Sequence, residues 1–378
     1  METERLKVES DFEYWVGFLP QGWREKAKEL GALSRCRKIP DADTLLRVLL
    51  LHLAQGCSLR ETSALARRGG LANLSDVAIM DRLRLSSEWF RWMSEQLMRT
   101  WVERPPAAVF DTRWNVRIVD GTRVREPGPT GSAWQVHYSI GLPSLVCDEF
   151  QLAPHGGAGE SLKRFAVRPG DLFLGDRAYG VRPGIFHVTK AGGEVLVRFA
   201  MDNLPLLTRS GNPFGLLERL CALGPREIGE WPVRLAWREE ALDGRVCAVR
   251  KTRQAAEKAR QDVIRQAQKN GCKPKAETLD AAAFIFVFTT LTREVLAPRE
   301  VLEMFRGRWP IERVFKRLKS ILELGHLRKR DKQAAQAWLH GKLLVAFILE
   351  MLLRKGESFF PGGYPLCETQ RPQPLPLA

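Results

Sequence analysis

The hydrophobic period changes near residue 105, and that change constrains the possible folds more than any other feature. Before it the pattern is helical. A Leu-rich run over 42–55 stops at Gly56, and Ser58 opens SLRETSALARR with Glu61 three residues on, the signature of a capping box. After Gly69 and Gly70, Ser75 is placed to cap SDVAIMDRLRLSSEWFRWM. Past residue 105, VRIVDGT (116–122), WQVHYSIG (134–141) and SLVCDEFQLA (144–153) read as strands. GESLKRFA (159–166) then reads as a short helix, and DLFLGD (171–176) and EVLVRFA (194–200) as strands. Three strands followed by alternating helix and strand predict an α/β mixed sheet with helices packed on it, behind an all-α N-terminal domain.

Residues 201–283 break the alternation. WPVRLAWRE and GRVCAVR look like strands, while 250–269 is a basic helix with little apolar face. This block reads as a β-rich insertion, after which AAFIFVFTTL (282–291) resumes the sheet. Helical pattern returns over about 298–324 and 332–354, and the last 18 residues hold five prolines. The expected division is 1–104 as a helical domain, 105–200 and 284–356 as two parts of one core, 201–283 as the insertion, and 357–378 as a loose tail.

Charge supplies the first functional clue. Of the net +15, residues 248–275 carry +7 and residues 299–330 carry +6. Such clustering is the electrostatic footprint of a phosphate-backbone partner, although a solvated basic face would give the same numbers. Arg253, Lys258, Arg260 and Arg265 on the basic helix are the candidate phosphate contacts. The glycine-separated helices of 1–104 suit a helix-turn-helix, or an ordinary bundle that buries Leu59, Leu65, Ile79 and Leu83. The longest apolar runs, 45–54 and 343–353, are interrupted by polar residues and fall short of the ~20 residues that span a bilayer, so no membrane partner is expected. METERLKVESDF has no apolar core of a signal peptide, and the seven scattered cysteines form no CxxC pair. A cytoplasmic protein with reduced thiols is expected.

Two aspartates stand where strands end. Asp120 follows an apolar strand and precedes Gly121-Thr122; Asp176 closes LFLGD. A carboxylate at the C-terminal end of a buried strand can face a crevice, although starting a turn is the commoner job of an aspartate. Asp111, Asp148 and Asp171 are weaker candidates, because none ends a strand so clearly. A third carboxylate comes from VLEMFRGRWPIERVFKRLKS. Measured from Phe305, Arg308, Glu312 and Lys319 fall at about −60°, −20° and −40° on a helix, one narrow stripe, unless Pro310 kinks or restarts it. That row could be a surface ion-pair ladder or a metal ligand among phosphate contacts. Two aspartates and a glutamate match what Mg²⁺ asks of a protein, and a pair of Mg²⁺ ions can drive phosphodiester cleavage.

IVDGT, then GDRAYG, then F-x2-R-x3-E-x6-K resembles the DDE transposases of bacterial insertion sequences, most of all the insertion-sequence-four family. RWPIERVFKRLKS is similar to that family's RWxIExxFKxLK block, with Phe305 standing where the family has tyrosine. The resemblance covers about residues 114–350. It implies an RNase H-like core in which Asp120, Asp176 and Glu312 hold two Mg²⁺ ions, Mn²⁺ being able to substitute. It also implies that Arg308, Lys319 and Phe305 face DNA, and that partners are inverted-repeat ends, target DNA and a second copy of the chain in a paired-end complex. In some relatives a flipped base stacks on an insertion tryptophan; Trp231 and Trp237 are the local candidates, with core packing the alternative for both.

Other readings are an RNase H-like nuclease without transposition, and a DNA-binding protein with an inactive core. GGAGES (156–161) lacks the third glycine and the βαβ setting of a dinucleotide loop, so no nucleotide cofactor is expected. The six histidines show neither HxxxH nor HExxH, and none is assigned to zinc.

Overall fold

A computed structural model describes residues 12–34, 38–102, 113–125, 133–142, 146–154, 159–308, 316 and 331–359. After a helical turn over 12–16 come α1 (Trp23–Glu29), α2 (Ala42–Leu53), α3 (Leu59–Arg68), α4 (Asp76–Leu85) and α5 (Ser87–Val102). The predicted capping box holds α3: Glu61 N–H donates to Ser58 Oγ at 3.2 Å, and Ser58 N–H to the Glu61 carboxylate at 2.7 Å. Ser75 caps α4 by accepting from Ala78 N–H. The run read as one helix over 75–93 is two, because Ser86 caps the C-terminus of α4 with N–H bonds back to Arg82 and Leu83. Ile79 and Leu83 are buried as expected, while Leu65 is exposed.

The strands are β1 (Asn115–Arg125), β2 (Ala133–Gly141), β3 (Val146–Pro154), β4 (Asp171–Gly175), β5 (Glu194–Arg198), β6 (Ile228–Trp237), β7 (Glu240–Arg250) and β8 (Phe284–Thr289). Among them lie α6 (Arg182–Lys190), α7 (Leu216–Cys221), α8 (Arg253–Lys269) and α9 (Ala276–Ala281), followed by α10 (Pro298–Arg306) and α11 (Lys332–Phe359). The predicted helix over 159–166 shrinks to one 3₁₀ turn, Leu162–Arg164.

All eight strands form one sheet in the order β3-β2-β1-β4-β5-β8-β7-β6. β1, β4 and β5 are parallel; the other neighbours pair antiparallel. The strands of 201–283 therefore extend the core sheet. β8 explains why: FIFVFT is apolar on both faces and needs a neighbour on each edge, β5 on one side and β7 on the other. Pro232 can sit in β6 because β6 is the outermost strand.

Alternating residues of the strands feed two cores. Ile118, Leu174, Leu196 and Val287 pack with the N-terminal helices, α10 and α11. Val119, Phe173, Val197 and Phe288 pack with α6 and α7 on the other face. α11 holds one stretch, Lys332–Leu352, long and apolar enough to cross a membrane. Two thirds of it is buried inside the protein, against α5, α4, α2 and the ring of Phe150, as a core helix would be.

Candidate active site

β1 and β4 run side by side with Asn115 opposite Asp171 and Ile118 opposite Leu174. Two residues further along each chain stand Asp120 and Asp176. The pleat places both on the face of Ile118 and Leu174. Asp120 does not end its strand, contrary to the sequence expectation. β1 continues to Arg125 because Thr122 and Val124 are buried and pair with Val136 and Trp134 of β2. What stops at Ile118 is the parallel pairing with β4, the place where an α/β sheet binds its ligands.

Backbone bonds orient both carboxylates. Asp120 Oδ1 accepts from Gly121 N–H at 2.8 Å, and Asp176 Oδ1 from Ala178 N–H at 2.9 Å. Burial, with the neighbouring charges of Asp176 and Glu160, pushes the Asp120 carboxyl up to about 6, against the lowering effects of Gly121 N–H and Arg308. Arg308 Nη1 lies 3.9 Å from Asp120 Oδ2.

Glu160 is the acid that sequence reasoning missed. It sat inside GGAGES, weighed as a glycine loop, and nothing in its spacing pointed to Asp120. The fold brings it there: Gln135 of β2 donates to Glu160 Oε1 at 2.9 Å, and a Cβ on Gly121 would stand 2.6 Å from that oxygen. Burial and Asp176 raise the Glu160 carboxyl as well. Beneath the three acids lies Tyr179, fully buried, its hydroxyl making no hydrogen bond among the described residues. Burial and the three carboxylates keep that phenol protonated.

The last predicted element departs from the sequence expectation. α10 buries Val301, Leu302 and Phe305 and stops at Arg306, with Gly307 as its C-cap. Arg308 therefore leaves the helix, and the expected stripe from Phe305 is not one continuous helix face. Phe305 is 9% exposed and part of the core, so its ring is a platform: the Arg308 guanidinium carbon lies 5.8 Å from its centre. Glu312 and Lys319 lie outside the described residues, as does Asp111.

The weaker aspartates have structural work. Arg117, buried, is bound by Asp148 at 2.8 Å, Glu149 at 2.8 Å and Asp171 at 3.2 Å. On α8, Arg253 and Arg260 line a cleft, whereas Lys258 and Arg265 do not. Trp237 packs on Phe186, with Lys163 and Arg238 over its ring, and Trp231 packs beside the second core.

The Transposase DDE domain matches residues 114–348, a span that starts at β1 and ends within α11. The chain belongs to the DDE transposase family. It is 32% identical over 348 residues to the putative transposase InsL for insertion sequence element IS186A of Escherichia coli (strain K12), covering 90% of this chain and 93% of that one. It is 32% identical over 349 residues to the transposase for insertion sequence element IS421 of Escherichia coli, with the same coverage. DDE transposases cleave and rejoin nucleic acid with divalent metal ions. Among the described residues no group of three His, Cys, Asp or Glu side chains could hold a metal ion. Asp120 and Asp176 are two carboxylates of the kind a divalent cation takes as ligands, and burial with the like charge of Asp176 keeps Asp120 raised despite Arg308.

Proposed function

We propose that this transposase cleaves the ends of an insertion sequence and joins them to target DNA in a Mg²⁺-dependent cut-and-paste reaction. The observation that carries the reading is the juxtaposition of Asp120 and Asp176 two residues past the point where β1 and β4 stop pairing in parallel, with Arg308 on Asp120. Asp120, Asp176 and Glu312 would hold two Mg²⁺ ions, with Mn²⁺ able to replace them. When bound, the ions activate the attacking oxygen and offset charge on the leaving one. The residues of the chain do the rest. The Gly121 and Ala178 N–H groups aim the two aspartates. Arg308, set on the Phe305 ring, can move from Asp120 to a phosphate, and Lys319 is a second phosphate contact. The helices of residues 1–104 contribute to end recognition, and two copies pair two ends. The setting is the bacterial cytoplasm, on nucleoid DNA.

The test is nicking of a labelled inverted-repeat duplex with and without Mg²⁺, beside a gel shift on the same DNA. Glu312→Gln should keep end binding and lose nicking and strand transfer by several orders of magnitude. Asp120→Asn and Asp176→Asn should do the same, and pairs of these changes should be far from additive. Near-normal cleavage by Glu312→Gln would refute the three-carboxylate mechanism. A nuclease without transposition would show nicking and no joined product.

A further inference from the structure

A cleft of about 1070 Å³ opens between the β6–β8 end of the sheet, α8 and α10. Its walls come from four separate parts of the chain. Arg226 stands in the turn before β6, Arg250 and Lys251 end β7, Arg253 and Arg260 project from α8, and Arg299 and Arg306 from α10. Against these cations stand the acids Glu257, Asp280 and Glu303. Only Arg260 makes an ion pair among the described residues, a loose one to Glu257 at 3.9 Å.

Four further observations bear on these cations. Arg226 is held at φ 65, left-handed backbone that a residue with a side chain rarely adopts and that tends to mark functional sites. Arg250 Nε is buried with no partner, although its Nη2 donates to the Cys221 carbonyl at 3.0 Å. Lys251 is lowered to about 8 by burial and by Arg198 and Arg177, the latter beside Asp176, so the cations run from the cleft towards the candidate active site. α10 makes the same link: Arg299 and Arg306 line the cleft, and two residues after Arg306 comes Arg308 on Asp120.

We infer that this cleft is a second phosphodiester-binding site, which holds the backbone of the end duplex as it runs away from the carboxylates. The inference rests on the proposed DNA cleavage at Asp120 and Asp176. Arginines without an ion pair among the described residues, here Arg226, Arg250, Arg253, Arg299 and Arg306, with Arg260 only loosely paired, are the chemistry that recognises successive phosphates, and continuity with Arg308 selects the strand being cut. The fold also divides the basic helix. Measured from Arg253, Arg260 lies at about −20°, whereas Lys258 and Arg265 lie at about 140° and 120°. The two pairs carry equal charge on opposite faces of α8, which supplies a matched control.

The experiment compares Arg253→Gln/Arg260→Gln with Lys258→Gln/Arg265→Gln in the full chain, with circular dichroism to verify folding. Affinity for a labelled inverted-repeat duplex is measured across a salt series, and nicking and strand transfer are assayed in parallel. The cleft pair should weaken end binding about tenfold and flatten the log–log salt slope by roughly 0.9 per lost contact. The opposite pair should change affinity less than about twofold. Equal effects of the two pairs, or none from either, would overturn the cleft. Intact end binding and nicking with lost strand transfer would place target DNA there and overturn the assignment to the end duplex. Failure of the unaltered protein to nick the end would refute the proposed function itself, and the two failures are therefore distinguishable.

Discussion

Asp120 carries a measurable cost at neutral pH. Its carboxyl is raised from 3.8 to about 6, so the folded state holds the proton more tightly than the unfolded chain does. The resulting stability is fully present below about 3.8 and is lost as the pH rises through about 6. Asp120→Asn should therefore stabilise the protein at pH 7.5, by on the order of 2 kcal/mol. If Asp120 holds the metal as proposed, Mn²⁺ should raise the Tm of the unaltered protein and the same variant should lose that rise, because a ligand stabilises only a fold that binds it. Thermal denaturation with and without Mn²⁺ measures both; a lower Tm for the variant would contradict the strain on this carboxylate. His340 has the opposite sign. It is buried on α11 beside Ser87 Oγ at 3.0 Å, and burial lowers it from 6.5 to about 4. Between those values the unfolded chain takes up a proton that the folded one refuses, so stability falls as the pH drops from about 6.5 towards 4. His340→Gln should flatten that limb by roughly 3 kcal/mol between pH 7.5 and pH 4.5, read from urea midpoints.

The turn after β4 is the element on which the site depends most. Within GDRAYG, Asp176 is presented by a loop that returns to the sheet at Gly180. A Cβ at Gly180 would stand 2.3 Å from the Arg198 carbonyl oxygen and 2.7 Å from Phe199 Cβ, so the end of β5 presses on the turn and leaves no room for a side chain. Gly180→Ala should push the turn off β5, cost about 1–3 kcal/mol, and reduce nicking more than tenfold by misplacing Asp176. Duplex affinity should stay within about twofold, since the cationic cleft lies elsewhere. A variant that nicks normally would show that the turn tolerates displacement. The signal was present in the sequence as a glycine four residues after the aspartate, but only the register of β4 with β5 reveals what the glycine avoids.

At the scale of the whole molecule, the N-terminal helices and α11 pack as one body. α5 packs along α11, Trp89 Nε1 donates to the Trp23 carbonyl, and Met98 touches Cys147 of β3. A Cβ on Gly341 of α11 would stand 2.5 Å from Leu53 Cδ1 of α2, so the helices meet at close range. Residues 1–104 expressed alone would expose the face that α11 covers. The fragment should melt without a cooperative transition or aggregate, while the full chain unfolds cooperatively, as circular dichroism would show. A well-folded fragment would indicate a domain independent of α11. End recognition by these helices is for that reason best assayed in the intact protein.

Local chemistry decided what the sequence could show. Caps at Ser58 and Ser75, strands with period two, and the switch near residue 105 depend on neighbours a few residues away, and they were legible. IVDGT and GDRAYG also singled out Asp120 and Asp176, which the fold brings to neighbouring strands, although Asp120 lies within β1 and not at its end. Contacts between distant segments were not legible. Glu160 stands over Gly121, the neighbour of Asp120 in the chain, only because Gln135 of β2 holds it there, and β6 and β7 join the core sheet only because β8 needs two partners. The cleft gathers arginines from three separate stretches of the chain, and each stretch alone is an ordinary basic surface. A periodic pattern specifies which face of an element is buried. Which other element covers that face, and which charges then meet, is settled by the pairing of strands and helices far apart in the chain.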